Sequence, residues 1–174
     1  MKLSKPDRHN ERALSYERLL EVLSYSPETG AFTWRTDRPN GSKAGDAAGY
    51  LNSKGYVSIG IDGRIFAAHR VAFLYMKRSW PPKWVDHKNR DRRDNKWTNI
   101  RVATPAENKR NCVRHRNNAC GYKGVHYRAE RDRWRAFIRV DGRLRHHGHF
   151  KSPEAANEAY CNAARLYFKE FAHF

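Results

Sequence analysis

The chain has 174 residues, with 35 Lys and Arg against 18 Asp and Glu, a net charge of +17 and a pI of about 10.2. That balance points to a polyanionic partner, because Lys and Arg neutralise phosphates and release condensed counterions; an aromatic content of 13% argues against a disordered chain. No apolar run is long enough for a signal peptide or a membrane helix, and Cys112, Cys120 and Cys161 form no CxxC, so an intracellular protein with neither a disulfide scaffold nor a structural zinc is expected.

The charge is unevenly placed: net +2 over residues 1–68, +10 over 69–119 and +5 over 120–174. In chain order, "LSYERLLEVLSYSPETG" reads as a helix from about Ser15 with Leu19, Leu20 and Leu23 on one face, stopped by Ser26-Pro27. "GAFTWR" alternates as a strand, and a Gly-rich stretch follows. "YVSIGIDGRIFAAHR" alternates on both sides of Asp62-Gly63, a pair suited to the left-handed residues of a type I′ hairpin turn. "HRVAFLYMKR" predicts a helix that packs Val71, Leu74 and Tyr75 inward and ends by Pro81-Pro82.

Residues 84–111 then read as strand, polar loop, strand, helix. "WVDH" and "WTNIRVAT" are the strands, and Thr104-Pro105-Ala106-Glu107 opens the helix, since Pro sits well at a first helical position. "NCVRHRNNACG" reads as a basic linker. Beyond it "KGVHYR", "RWRAFIRV" and "RLRHHGHF" predict three strands, the last two joined at Asp141-Gly142. Ser152-Pro153-Glu154 starts a final helix, on which Ala155, Ala159 and Ala163 would allow close approach to the sheet. The fold class expected is α+β, organised as an N-terminal helix and hairpin region (1–68), a core (69–111), a basic linker (112–121) and a second unit (122–174).

Phosphodiester hydrolysis needs an activated water and stabilisation of growing negative charge. A histidine titrates near neutrality and can take the water's proton; a hard cation held by oxygen ligands can stabilise the phosphate oxygens. Asp86 offers a carboxylate, Asn108 an amide oxygen, His87 the base, and Asn99 an amide able to fix the loop by bonding its backbone. Neighbours on a regular strand point to opposite faces, so Asp86 and His87 serve one site only if the strand ends or bends there.

These residues carry a resemblance. Asp86-His87, Asp94-Asn95, Asn99-Ile100-Arg101 and Asn108, with "AAHRVAFLYM" upstream, resemble in order and spacing the HNH homing endonucleases of phages and introns, which have a ββα-metal core. The likeness covers roughly residues 25 to 111. It implies hydrolysis of double-stranded DNA, with Asp86 and Asn108 binding Mg²⁺ or Mn²⁺, His87 as general base and Asn99 positioning the loop. It also implies a phage-encoded protein in the cytoplasm of a bacterial host. His69 is a further candidate, either touching phosphate or packing at the helix start. Where the family reads Lys/Ile-Asp-Gly-Asn after the histidine, this chain has Lys88-Asn89-Arg90-Asp91, so Asn89 or Asp91 is expected to take the left-handed conformation. Arg70, Lys88, Arg92, Arg93, Arg101, Lys109 and Arg110 are candidate DNA contacts around the site.

The C-terminal unit resembles an AP2 DNA-binding domain in Lys123-Gly124-Val125, Trp134-Arg135-Ala136-Phe137-Ile138, Gly148-His149-Phe150 and "SPEAANEAYCNAAR". The resemblance implies a three-stranded antiparallel sheet backed by a helix and laid in the major groove. Alternation puts Trp134, Ala136, Ile138 and Val140 on one face and Arg133, Arg135, Phe137 and Arg139 on the other, a cationic face suited to phosphates and base edges. His126, Arg128, Arg143, Arg145 and His146 are expected to extend that face. Double-stranded DNA is therefore the expected partner, with no membrane association and a monomer favoured. One such site makes one cut. The rival readings are a DNA-binding protein with an inactive core and, on charge alone, an RNA-binding structural protein.

Overall fold

The computed structural model describes residues 8–111, 120–172 and 174. Packing divides the chain into two units, Met1–Pro105 and Ala106–Phe174. The expected linker falls largely on residues 112–119, outside the described residues. None of the described helices is long and apolar enough to cross a membrane.

The first unit begins with α1 (Arg8–Glu11) and α2 (Tyr16–Val22). Ser15 caps α2, its hydroxyl accepting from the Arg18 amide at 3.1 Å, as Ser does at helix starts. The helix stops at Val22, earlier than its leucine spacing suggests. Leu23 already has extended torsions and opens β1 (Leu23–Tyr25), which pairs antiparallel with β2 (Phe32–Trp34). Leu23 is fully buried on either periodicity, so the stripe continued while the backbone changed. A second sheet follows, β3 (Tyr50–Leu51), β4 (Val57–Ile61) and β5 (Arg64–Ala67). The β4–β5 turn is the expected Asp62-Gly63 pair, with φ of 48° and 74°.

Helix α3 (Ala68–Lys77) buries Val71, Ala72 and Leu74, with Tyr75 half-buried against the Tyr25 ring. It ends before the prolines, at left-handed Arg78. The antiparallel pair β6 (Trp84–His87) and β7 (Ile100–Ala103) comes next, and α4 (Pro105–Arg110) starts at the expected proline. Leu19, Val22, Leu23, Ile59, Ile61 and Val71 form the centre of this unit's core.

In the second unit β8 (Val125–Arg128), β9 (Arg133–Val140) and β10 (Arg143–Phe150) form an antiparallel sheet in the order β10-β9-β8. Helix α5 (Pro153–Phe168) is capped by Ser152, whose hydroxyl accepts from the Ala155 amide at 3.2 Å. Ala136, Ile138 and Val140 are buried with Ala156, Tyr160, Ala164 and Phe168. The helix meets this core one residue out of the expected register: Ala156, Ala163 and Ala164 are buried, while Ala155 and Ala159 are half-buried, because the bulky Tyr160 and Phe168 set the rotation. Gly124 (φ 68°) lies where a Cβ would come within 2.5 Å of the Phe137 carbonyl oxygen and closer still to the Tyr160 ring, so only glycine fits there. Cys161 is buried and Cys120 half-buried; Cys112 lies outside the described residues.

Candidate nuclease site

β6 keeps regular pairing through its last residue, with Asp86 opposite Arg101 and His87 opposite Ile100. The chain then turns, the Lys88 amide donating to the Asn99 carbonyl at 2.8 Å. Asn99 ties the loop from both sides. Its Oδ1 accepts from the Asn89 amide at 3.0 Å and its Nδ2 donates to the Asp94 carbonyl at 2.7 Å. The missing family glycine is replaced by Arg90, which adopts φ +66°, rather than by Asn89 or Asp91. The Asn89 side chain instead accepts from the Asp91 amide at 2.9 Å, a local turn that leaves the left-handed place to the residue between them.

His87 is buried, and its Nε2 lies 3.2 Å from Asn95 Oδ1. The Asn95 amide is oriented by its own Nδ2, which donates to the Arg93 carbonyl at 3.0 Å, so the oxygen faces the ring. That acceptor places the imidazole proton on Nε2 and makes Nδ1 the basic nitrogen. The ring packs edge-on to His69, centroids 5.0 Å apart, and Tyr56 lies 5.4 Å from His69 and 6.0 Å from His87. Burial lowers the pKa of His87, against the opposing pull of the Asn95 bond and of Asp86, Asp94 and Asp91. Burial lowers that of His69 well below the ordinary value, helped by His87 and Arg70, and His69 Nδ1 has no hydrogen-bond partner among the described residues. Burial thus disfavours the charged form of both rings.

The loop is braced from behind. Tyr25 Oη donates to the Asn95 carbonyl at 2.7 Å, and the Trp97 amide donates to the Pro27 carbonyl at 2.9 Å. Gly30 (φ 76°) makes this approach possible, since a Cβ there would sit 2.5 Å from the Lys96 amide nitrogen.

A buried histidine thus ends a strand that runs into a hydrogen-bonded loop, with Asp86 next to it in the chain. Residues 66–110 match the family model described as HNH endonuclease. Residues 66–110 form an HNH endonuclease domain. The chain carrying it is a DNA-hydrolysing enzyme. A solved structure, titled as DNA binding and cleavage by the HNH homing endonuclease I-HmuI, aligns over 85% of this chain and 86% of its own at 18% identity with a TM-score of 0.40. No curated protein matches the chain.

Within the HNH domain the candidate residues have separate fates. Asp86, His87 and Asn99 all lie at the end of β6 or in the loop it shares with β7, and all are buried. Asn108 is buried on α4. Asn95, which orients His87, was not among the expected catalytic residues; its signal is its place in the loop's Asp-Asn pair. Two expected DNA contacts are corrected. Arg70 is buried, paired with Glu11 and donating to the carbonyls of Lys83 (2.8 Å) and Pro81 (3.2 Å), so it ties α1 to α3 and the chain after it. Arg101 is buried too and converges on Asp86 Oδ2 from Nε at 3.2 Å and Nη2 at 3.0 Å. A guanidinium committed to a buried carboxylate is not available to phosphate. Lys88 is exposed and reaches the Thr98 carbonyl at 2.7 Å, exposed Arg93 pairs with Asp91 at 3.2 Å, and Lys109 is exposed. Arg92 lies over the Tyr56 ring at 4.8 Å. Arg110 lies over the Phe168 ring at 4.6 Å and reaches Asp141 at 3.5 Å.

In the second unit, the register sorts the sheet. His126 and Arg128 sit opposite Arg135 and Arg133, and His146 opposite Phe137, on the face away from α5. Arg143 and Arg145 do not join them. They pair with Val140 and Ile138, on the helix side, and the Arg145 guanidinium lies 5.2 Å from the Tyr167 ring of α5. The sequence held the signal: in a two-residue turn such as Asp141-Gly142 (φ 49° and 79°) the flanking residues pair, so Arg143 shares the face of Val140. A register shift between His146 and His149 returns His149 to the outer face opposite Arg135, where the sequence reading had not placed it. Arg139 on that face donates to the Gly142 carbonyl at 2.9 Å, and Phe137 lies against His126 (5.1 Å) and Arg135 (5.4 Å).

Proposed function

We propose that the chain is a metal-dependent endonuclease of duplex DNA, of the homing type, with His87 as general base and the outer face of the second unit's sheet helping to choose the site. The observation that carries the catalytic part is the Asn95–His87 contact, 3.2 Å long, which favours a proton on Nε2 in a ring whose pKa burial lowers. His87 Nδ1 takes a proton from water as the water oxygen bonds to phosphorus; the bond from phosphorus to the leaving oxygen breaks, and that oxygen takes a proton from solvent. Asn99 holds the loop that carries Asn95 in place during this step.

HNH nucleases generally use a divalent cation, which when bound stabilises charge on the phosphate and leaving oxygens. The donor chemistry fits a hard ion. Asp86 supplies carboxylate oxygen, and Asn108 keeps the ligand role that the family resemblance gives it. No group of three or more His, Cys, Asp or Glu side chains is arranged for a metal among the described residues. The AP2-like reading of the second unit draws support from its antiparallel sheet, its backing helix and the cationic outer face centred on Arg135 and Phe137.

A second reading, a DNA-binding protein with a silent core, draws on Arg101, which already neutralises Asp86 at 3.0 Å. Incubation with supercoiled plasmid decides between them. Nicked or linear product is expected with Mg²⁺ or Mn²⁺ and none with EDTA. His87→Ala should slow cleavage by about a hundredfold or more while DNA affinity changes little. Absence of metal-dependent cleavage, or full activity in His87→Ala, overturns the catalytic reading.

A further inference from the structure

We propose that Arg92 is a catalytic residue of this site, its guanidinium binding a non-bridging oxygen of the scissile phosphate and stabilising the charge that grows there as water attacks. The inference rests on the nuclease reading above.

Arg92 belongs to the loop between β6 and β7, and its environment sets it apart from the other arginines near His87. Arg70 and Arg101 are buried against Glu11 and Asp86, and Arg93 is exposed and paired with Asp91. Arg92 is half-buried and forms no ion pair among the described residues. It is nevertheless held firmly. Its guanidinium carbon stands 4.8 Å from the Tyr56 ring, and its Nη1 donates to the Lys54 carbonyl at 2.7 Å. Both supports are set by one turn. Asn52 Oδ1 accepts from the amides of Lys54 (2.9 Å) and Tyr56 (3.1 Å), and the Asn52 amide donates to the Tyr56 carbonyl at 2.9 Å.

The Tyr56 ring also packs against His87 at 6.0 Å and against His69 at 5.4 Å. The proposed base and a cation with no ion pair among the described residues therefore both contact the Tyr56 ring. This is the arrangement that phosphoryl chemistry requires: a base for the attacking water, and a fixed donor for the oxygen on which charge accumulates. A guanidinium whose Nη1 is anchored still presents Nε and Nη2, a fork that matches two phosphate oxygens. Arg92 transfers no proton. The water proton goes to His87 Nδ1, the O–P bond forms as the bond to the leaving oxygen breaks, and Arg92 gains hydrogen-bond strength as the phosphate becomes more negative.

The test separates binding from chemistry. DNA affinity is measured in EDTA by fluorescence anisotropy, and cleavage of fully bound DNA is followed in a single turnover after Mg²⁺ or Mn²⁺ is added. Arg92→Ala should lower the bound-state rate by about a hundredfold, the scale for removing one oxyanion donor, with affinity changed by only a few-fold. Arg92→Lys should recover part of the rate, since a point charge replaces the fork. Lys43→Ala, an exposed lysine paired with Asp37 at 2.9 Å, should leave the bound-state rate unchanged. If Arg92→Ala does not fold, as judged by its thermal unfolding, Arg92→Gln keeps a donor for Lys54 and carries the same comparison. Cleavage of bound DNA at the wild-type rate by the Arg92 variant, or losses no different from those of Lys43→Ala, overturns the proposal. His87→Ala run in parallel distinguishes the failures. An inactive His87→Ala beside a fully active Arg92 variant sinks this inference alone, whereas a fully active His87→Ala sinks the nuclease reading beneath it.

Discussion

The loop after β6 and the outer face of the β8–β10 sheet both collect polar and cationic side chains, and they are built on opposite plans. In the loop, His87 is 4% exposed, Asn95 2% and Asn99 8%, and each is fixed by hydrogen bonds that close on one another or on the backbone. On the sheet, His126, Arg128, Arg139, His146 and His149 are exposed and stand on an antiparallel ladder. Catalysis needs one nitrogen held at one place, and a buried polar network supplies that only when its members are satisfied. Affinity for a polyanion needs many charges at moderate precision, which an exposed sheet face supplies with no desolvation cost.

This difference can be broken by experiment, and the largest effect is expected in the loop. Asn95→Ala removes the acceptor that fixes the His87 tautomer and should slow cleavage about 10- to 100-fold, the range seen when a partner orienting a functional histidine is lost. DNA affinity should stay within a few-fold of wild type. Equal losses in rate and affinity would mean that the loop binds as well as cuts.

A smaller effect sharpens the other side of the comparison. Arg135→Ala, on the outer face, should cost about 1–3 kcal/mol in DNA binding if it reads a base edge, concentrated on the preferred sequence. Arg145→Ala, on the helix side over Tyr167, should leave binding nearly unchanged. Comparable losses from the two variants in a titration at fixed salt would dissolve the distinction between the faces.

The smallest effect concerns stability and pH. His69 and His87 are both held below the ordinary value of 6.5 by burial, so the folded chain keeps them neutral where the unfolded chain protonates them. With a depressed folded pKa, this contribution is complete above about pH 6.5 and shrinks as pH falls below it. The urea midpoint should therefore be lower at about pH 5.5 than at about pH 7.5, and His69→Phe should flatten the dependence. A midpoint unchanged between the two conditions would contradict the burial of these rings.

Much of the architecture was legible because local chemistry and tertiary structure agree. Ser15 and Ser152 cap the helices they precede, Asp62-Gly63 and Asp141-Gly142 turn the hairpins, and the order strand, loop, strand, helix over residues 84–110 is the one observed. The failures share a cause. Leu23 satisfies both a helical stripe and a strand, and only its pairing with Trp34 decides between them. Arg70 and Arg101 looked like phosphate contacts because their carboxylate partners, Glu11 and Asp86, are distant in sequence for the one and across a hairpin for the other. Asn95 stood among several loop asparagines of identical chemistry, and only the fold selects the one that faces His87. Residue type can be read locally, but partner identity cannot.

The register shift in β10 gives the outer face an unusual vulnerability. His146 and His149 share one side of the sheet, their ring centroids 4.8 Å apart, only because the strand carries an irregularity between them. Parity alone would separate them. A deletion at His147 or Gly148 would remove the extra residue and leave positions 146 and 149 two apart, on the same side of a regular strand. Straightening the strand at constant length is what would part them: three residues apart on a regular ladder, the two imidazoles would take opposite sides, with no change in the charge of the chain. For this face the irregularity of the backbone matters as much as the side chains it carries.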